Sequence, residues 1–339
     1  MSDAPTMKAI VMKGPGGPEV LEYRDVPLPE PRGDQVRVRV RACGVNRADL
    51  MQRLGRYPAP AGVPADIPGL EFAGVVDAIG SGATPADGCR LGDRVMGILG
   101  GGGYAEYVLT HPRTLIPIPC NMDDVEAAAI PEAFLTAFDA LEEQARLRSG
   151  ERVLIHAVGS GVGTAAVQLA SAMGCWSLGS SRSAAKLVAA AGLGLNVAIN
   201  TKESQGNFAD LVRSRTGGEG VDAIIDFLGG SALEENLNAL APRGRLVLVG
   251  LLAGTTGTLD LSAMLRKRLT LQGTVLRSRP VEEKIALSRK FAVRIVPWLK
   301  REVVRPVVDQ VLPLREAAQA HERMAANQGF GKIVLRTVD

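Results

Sequence analysis

Arg152-Val153-Leu154-Ile155-His156-Ala157-Val158-Gly159-Ser160-Gly161-Val162-Gly163-Thr164-Ala165-Ala166 decides the fold of this chain. A short apolar run enters a glycine-rich turn, and a segment carrying Ala165, Val167, Leu169 and Ala170 leaves it, which reads as strand, tight turn and helix. Only glycine lets the main chain come close to an anion in such a turn, and the first turn of the helix adds unpaired N–H donors and a dipole that favours negative charge. Gly161-x-Gly163-x-x-Ala166 therefore has the spacing of a pyrophosphate-binding fingerprint, with Ser160, Gly161, Val162 and Gly163 as its contacts.

Working outward, the chain after about Glu126 alternates short apolar strands with helical patterns. The strands are read at Arg152–His156, Cys175–Leu178, Asn196–Ile199, Ala223–Asp226, Arg245–Val249 and Thr270–Thr274. Helices are read at Thr164–Met173, Ala184–Ala191, Phe208–Arg215 and Leu233–Leu240. That rhythm predicts a doubly wound α/β domain of Rossmann type with a parallel sheet. An NAD site of this kind usually places an acid at the end of the second strand, but here the text is Leu178-Gly179-Ser180-Ser181-Arg182-Ser183. Hydroxyls and a cation suit a 2′-phosphate, so NADPH is the expected cofactor, held by Ser181, Arg182 and Lys186; a capped, solvated helix start is the alternative. Because such folds bind nucleotides at the carboxyl ends of their strands, Phe227, Gly250, Leu251 and Leu276 are further expected contacts, with Thr136 near the nicotinamide.

Before that half, runs such as Lys8–Met12, Val36-Arg37-Val38-Arg39-Val40, Phe72–Ile79, Arg94–Ile98 and Tyr104–Leu109 sit between Gly- and Pro-rich turns and predict a β-rich domain. Gly100–Gly103 reads as a flexible loop, a close backbone approach or, as favoured here, a turn. After about Val281 come a helical region, Val303–Val311, a helix over Leu314–Ala326 and a closing strand Lys332–Arg336. This tail is too short for a domain of its own, so residues 1–127 are expected to be completed by 277–339, with the nucleotide domain 128–276 inserted between them.

Composition narrows the function. The 339 residues carry a formal net charge of +3 with the basic residues interspersed among acids, which argues against nucleic acid or an anionic membrane as partner and for a small molecule. Cys43, Cys89, Cys120 and Cys175, with three histidines, form neither a disulfide framework nor a spaced set of metal ligands. His156, between Ile155 and Ala157, reads as a buried strand residue. Met1 to Ala9 lacks a basic region followed by an apolar run, and no stretch of 18 or more apolar residues occurs, so a cytoplasmic protein is expected.

Cys43-Gly44-Val45-Asn46-Arg47-Ala48-Asp49 and Gly69-Leu70-Glu71-Phe72-Ala73-Gly74 resemble motifs of the medium-chain dehydrogenase/reductase superfamily, whose β-rich domain is GroES-like. In its zinc-dependent branch a Cys stands at the place of Asn46 and a His at the place of Leu70. Neither ligand is here, and no metal is expected. Gly14-Pro15-Gly16-Gly17-Pro18-Glu19, Asn46 to Arg53, Ala128-Ala129-Ile130-Pro131-Glu132-Ala133, Ser160 to Leu169 and Gly331-Lys332-Ile333-Val334-Leu335 resemble the zinc-independent quinone oxidoreductases, especially the stress-inducible subgroup.

That resemblance implies hydride transfer from NADPH to a quinone, with Tyr57 lining the active site opposite Ser160 and Asn46 orienting substrate or water. It also implies Phe330 and Lys332 beside the cofactor, Lys332 balancing phosphate charge, and a homodimer joined through the strand at Leu269–Gly273. Reduction of the conjugated C=C of an enone, enal or enoyl thioester is the alternative, and a non-catalytic NADPH-binding, crystallin-like protein the alternative of another class. A packed tyrosine, a turn-fixing asparagine and a serine spacer are the structural readings of Tyr57, Asn46 and Ser160.

Overall fold

The computed structural model of the protein describes residues 5–83, 88–203 and 207–337, in two compact units. The first takes the described residues up to Leu135, Leu276–Glu302 and the described residues from Pro306 on; the second is Thr136–Val275 with Val303–Arg305.

The first unit opens with β1 (Thr6–Met12) and β2 (Leu21–Pro27), an antiparallel pair. In β3 (Val36–Val45) the period of two is plain: Val36, Val38 and Val40 are buried, while Arg37 turns outward and grips both carboxylate oxygens of Asp77 at 3.0 and 3.1 Å. α1 (Arg47–Arg53) starts at Asn46, whose N–H donates to Asp49 Oδ2 at 2.8 Å. Then come β4 (Glu71–Ile79), β5 (Arg94–Ile98), β6 (Tyr107–Thr110) and β7 (Ile116–Pro117). α2 (Asp124–Ala128) begins with a reciprocal cap between Asp123 and Glu126, and α3 (Pro131–Phe138) begins with proline, whose missing N–H costs a helix nothing at that place.

The second unit alternates β8 (Arg152–Ile155), α4 (Gly161–Ala172), β9 (Trp176–Ser181), α5 (Ala184–Ala191), β10 (Val197–Asn200), α6 (Phe208–Arg215), β11 (Val221–Asp226), α7 (Leu233–Ala239), β12 (Leu240–Leu248), α8 (Leu261–Lys267) and β13 (Thr270–Gly273). Its strands lie in the order β10-β9-β8-β11-β12-β13, each pair parallel. This is the doubly wound Rossmann order, and it reverses between β8 and β11, where the carboxyl ends of the strands open a crevice. The centre of the sheet is covered on both faces, so Val153, Leu154 and Ile155 are wholly buried without polar alternation.

The chain then supplies α9 (Val281–Arg294), α10 (Val296–Lys300), β14 (Val308–Pro313), α11 (Ala317–Ala325) and β15 (Lys332–Arg336) to the first unit. Its larger sheet runs β14-β15-β3-β4-β5-β7, with β6 also on β3. β15 pairs antiparallel with β3, Ile333 opposite Val45 and Leu335 opposite Cys43, which sets Lys332 beside Asn46.

Two readings change. Gly100–Gly103 is a close backbone approach rather than a simple turn: Gly102 and Gly103 donate to the carbonyls of Ile67 and Gly69, and a Cβ on Gly103 would stand 2.9 Å from the Gly69 carbonyl carbon. The strand expected at Val303–Val311 starts only at Val308, because Val303–Arg305 belongs to the second unit, where the Arg305 N–H and carbonyl both bond the Gln168 amide.

Candidate functional site

In the second unit the fingerprint residues lie where β8 hands over to α4. Ser160 is the N-cap: its Oγ accepts the Gly163 N–H at 3.0 Å, and a Cβ on Gly163 would stand 2.3 Å from the Ala157 carbonyl oxygen, so only glycine allows helix and turn to pack this closely. Gly161 and Val162 keep first-turn N–H groups with no carbonyl one turn behind them in the helix, and both are partly exposed. Ser160 thus acts through its hydroxyl on the helix start, more than a spacer.

β9 ends beside this turn. Ser181 Oγ accepts the Ser183 N–H at 3.1 Å, Ser183 caps α5, and Arg182 between them is exposed. The stem of Lys186, one turn into α5, crosses Gly159 so closely that a Cβ there would meet Lys186 Cδ at 2.6 Å. Two cations and a run of hydroxyls therefore share one end of the sheet with the glycine turn, and no carboxylate stands at the end of β9. The backbone donors of the glycine turn could hold a pyrophosphate, with Ser181, Arg182 and Lys186 at the same end of the sheet. Phe227 is buried just past β11, Gly250 backs onto it with its Cβ position 3.0 Å from the Phe227 carbonyl oxygen, Leu251 is exposed and Thr136 is buried in α3.

His156 is wholly buried, as read from the sequence, and joins a polar chain. Its Nδ1 lies 2.6 Å from Ser180 Oγ and its Nε2 2.7 Å from Asn236 Oδ1, while Asn236 Nδ2 donates to Asp226 at 3.0 Å. The Asp226 carboxylate also accepts the Leu228 and Gly229 N–H groups. Since an amide oxygen only accepts, Nε2 carries the hydrogen and Nδ1 receives the serine hydroxyl, a neutral tautomer that burial favours by holding the imidazole pKa down. The chain ties the ends of three strands together around the crevice.

In the first unit the sequence candidates Asn46 and Lys332 meet. The Lys332 ammonium gives its three hydrogens to Glu71 Oε1 at 2.5 Å, Asn46 Oδ1 at 2.6 Å and the Val45 carbonyl at 3.0 Å. Asn46 Nδ2 donates to the same Glu71 oxygen at 2.8 Å, and Glu71 Oε2 accepts the Glu132 N–H at 2.8 Å. Lys332, expected beside the cofactor to balance phosphate charge, has a side chain that is 4% exposed here and gives its three hydrogens to Glu71, which is 0% exposed, to Asn46 and to Val45. Gly44 makes room for that carboxylate, since a Cβ there would lie 2.1 Å from Glu71 Oε1.

Tyr57 is partly buried with its ring 4.8 Å from the Arg277 guanidinium, which also donates to the Tyr57 carbonyl, the Gly100 carbonyl and Gln52 Oε1. Burial, opposed by Arg277, raises the phenol pKa, so Tyr57 keeps its proton at neutral pH. Leu276 is buried beside Arg277 in the chain, and Phe330, partly buried, donates its N–H to Asp309. Asp49 accepts the Asn46 and Gly69 N–H groups and the Tyr104 hydroxyl; burial outweighs these bonds and pushes its carboxyl up to about 6. Leu70, at the place of the second zinc ligand in the zinc-dependent branch, is core, and among the described residues no three His, Cys, Asp or Glu side chains converge to hold a metal ion.

Sequence reasoning passed over Glu71, Glu132, Asp49 and Arg277 as site residues. The first three lie inside quoted motifs, so their position was available but not their burial or pairing. Arg277 had no local signal, because its partners come from distant turns.

Residues 32–120 match the family model described as alcohol dehydrogenase GroES-like domain, and residues 161–291 the one described as zinc-binding dehydrogenase. The quinone oxidoreductase of Rattus norvegicus is 34% identical over 334 residues, 97% of either chain. A solved NAD-dependent alcohol dehydrogenase superposes with a TM-score of 0.86 at 34% identity, covering 98% of this chain and 100% of that one. The CurK enoyl reductase does so with a TM-score of 0.85 at 27% identity, covering 98% and 99%. A likeness that spans both units cannot come from a shared nucleotide fold alone, and the chain belongs to the medium-chain dehydrogenase/reductase superfamily, among the relatives of the quinone oxidoreductases.

Proposed function

We propose that this oxidoreductase transfers hydride from NADPH to a quinone without a metal electrophile, residues 128–276 holding the cofactor and residues 1–127 with 277–339 the substrate. The observation that carries this reading is the commitment of Asn46 to Lys332 and Glu71. The side chain at the first diagnostic ligand place is bound to an ammonium ion, so the group reduced must be electrophilic by itself, as a quinone ring is. NADPH rather than NADH is favoured by Ser181 and Arg182 at the end of β9 and Lys186 in α5.

Bound NADPH would supply the hydride. The chain supplies the rest. Ser160 fixes the first turn of α4 by accepting the Gly163 N–H, so that the N–H groups of Gly161 and Val162 meet phosphate oxygens in a preset geometry and Gly163 lets the turn pack closely. Arg277 holds the Tyr57 ring by a cation–π contact worth about 0.5–2 kcal/mol, and the protonated phenol donates a hydrogen bond where negative charge grows on the quinone oxygen. Asn46, anchored on its inner side and partly exposed, orients the substrate.

The test follows NADPH and NADH absorbance with 1,2-naphthoquinone, a 2-alkenal and an enoyl-CoA. Quinone-dependent oxidation preferring NADPH is expected. Oxidation by the unsaturated carbonyl substrates alone would move the function to the second reading, C=C reduction, which the likeness to the CurK enoyl reductase supports. We further propose a cytoplasmic homodimer paired through β13, the outer strand of its sheet, whose neighbour α8 exposes Leu261 at 64% and Leu265 at 78%. Light scattering checks it. Among the described residues no helix is long and apolar enough to cross a membrane.

A further inference from the structure

We propose that the Glu132 side chain is the acid that delivers the proton accompanying hydride transfer, an inference that rests on the quinone-reductase reading above. Glu132 sits in the first turn of α3, and its own N–H donates to Glu71 Oε2 at 2.8 Å, which fixes it beside the Lys332–Glu71 pair. Its carboxyl takes no hydrogen bond or ion pair from any described residue, although charged groups surround it: Glu71 on β4, Asp49 on α1, Lys332 on β15, and Arg277 and Lys284 before and on α9, with Tyr57 also in its field.

The nearby cations are already committed. Lys332 gives all its hydrogens to Glu71, Asn46 and Val45. Arg277 bonds Gly100, Tyr57 and Gln52, and Lys284 donates to the Arg277 carbonyl at 2.7 Å. Glu71 is thus the neutralised carboxylate of the pair, and Glu132 is the one without a counter-ion. Burial and the neighbouring Glu71 charge push its carboxyl up to about 8, so it holds a proton at neutral pH. Its partial exposure leaves water access for reloading.

The chemistry balances. The quinone accepts hydride, two electrons and one hydrogen, from the reduced nicotinamide and becomes a hydroquinone monoanion. The anionic oxygen forms an O–H bond as the Glu132 O–H bond breaks, and the Glu132 carboxylate is reprotonated by water.

The test compares wild type, Glu132→Gln and Glu132→Asp in two measurements. One is NMR titration of 13C-glutamate carboxyls, with Glu132 assigned by its loss in Glu132→Gln; the other is the pH dependence of kcat with 1,2-naphthoquinone, alongside NADPH affinity by fluorescence. The expected results are a carboxyl titrating near 8, a wild-type kcat that falls as pH rises through that value, and a Glu132→Gln kcat about 100-fold lower without that limb. NADPH affinity should be unchanged, and Glu132→Asp should restore the limb. A carboxyl that titrates in the ordinary acidic range overturns the proposal whatever the substrate is. So does a Glu132→Gln enzyme with wild-type rate and pH profile. A wild type that binds NADPH but reduces no quinone overturns the functional reading instead, and the titration then decides whether Glu132 holds the proton.

Discussion

Replacing Lys332 by methionine removes the ammonium bonded to Glu71 while keeping most of the apolar stem. The carboxylate left behind is 0% exposed and the lysine it loses 4%, so water cannot replace the lost partner without opening the sheet. Breaking one side of a buried pair costs about 3–5 kcal/mol, because an uncompensated charge remains in a poorly polarisable interior. For a unit of this size each kcal/mol moves the midpoint by roughly 2–4 °C, so Lys332→Met should lower the Tm of the first unit by about 6–20 °C in scanning calorimetry. Adding Glu71→Gln should recover much of that loss, since the amide no longer carries the stranded charge and its oxygen can still accept the Glu132 N–H; the double-mutant coupling should reach about 2 kcal/mol. NADPH affinity, read by fluorescence, should stay within about twofold of wild type, far below the tenfold that each 1.4 kcal/mol of lost phosphate contact would give. A Lys332→Met protein with unchanged Tm and strongly weakened NADPH binding would refute the argument and return Lys332 to the cofactor.

Arg182→Ala and Lys186→Ala should each raise the KM for NADPH about tenfold or more and leave that for NADH nearly unchanged, the loss expected for one charge-assisted hydrogen bond to a phosphate; steady-state kinetics with both cofactors checks this. Tyr57→Phe should lower kcat for the quinone by roughly tenfold with NADPH affinity intact, as one donor to the developing oxyanion is lost; an unchanged kcat removes Tyr57 from the mechanism. Gly44→Ala should destabilise the first unit by about 1–3 kcal/mol in urea unfolding, because its methyl would overlap Glu71 Oε1, 2.1 Å away.

Local signals were enough for several elements of both units. The helices read at Ala184–Ala191 and Phe208–Arg215 stand at those limits, and the strands Arg94–Ile98 and Lys332–Arg336 likewise. Each is bounded by its own punctuation: Ser183 caps one helix, and Gly331, at φ +101, precedes the last strand. β2 escaped notice because Leu21–Pro27 lies in a two-stranded sheet with β1 and stays largely exposed, so no buried face imposes alternation on it. The glycine turn was legible because its chemistry and its sequence are contiguous. The polar cluster was not, since Asn46, Glu71, Glu132, Arg277 and Lys332 meet only through sheet pairing and loop return, and a sequence shows residue types without showing which of them lose water.

The same contrast explains why two glutamates one hydrogen bond apart are given different work. Glu71 has Lys332, Asn46 and a helix-start N–H around its oxygens, so ionisation is solvated by fixed partners and the group serves as structure. Glu132 donates its main-chain N–H into that arrangement but receives nothing at its carboxyl, and the negative charge of Glu71 stands against its ionisation. Burial, with the Glu71 charge beside it, is what keeps Glu132 protonated, so the same residue type provides one anchor and one proton donor. Lys332 is therefore tied to the chemistry at one remove: its ammonium stabilises Glu71 as the anion, and that anion in turn keeps the Glu132 proton in place.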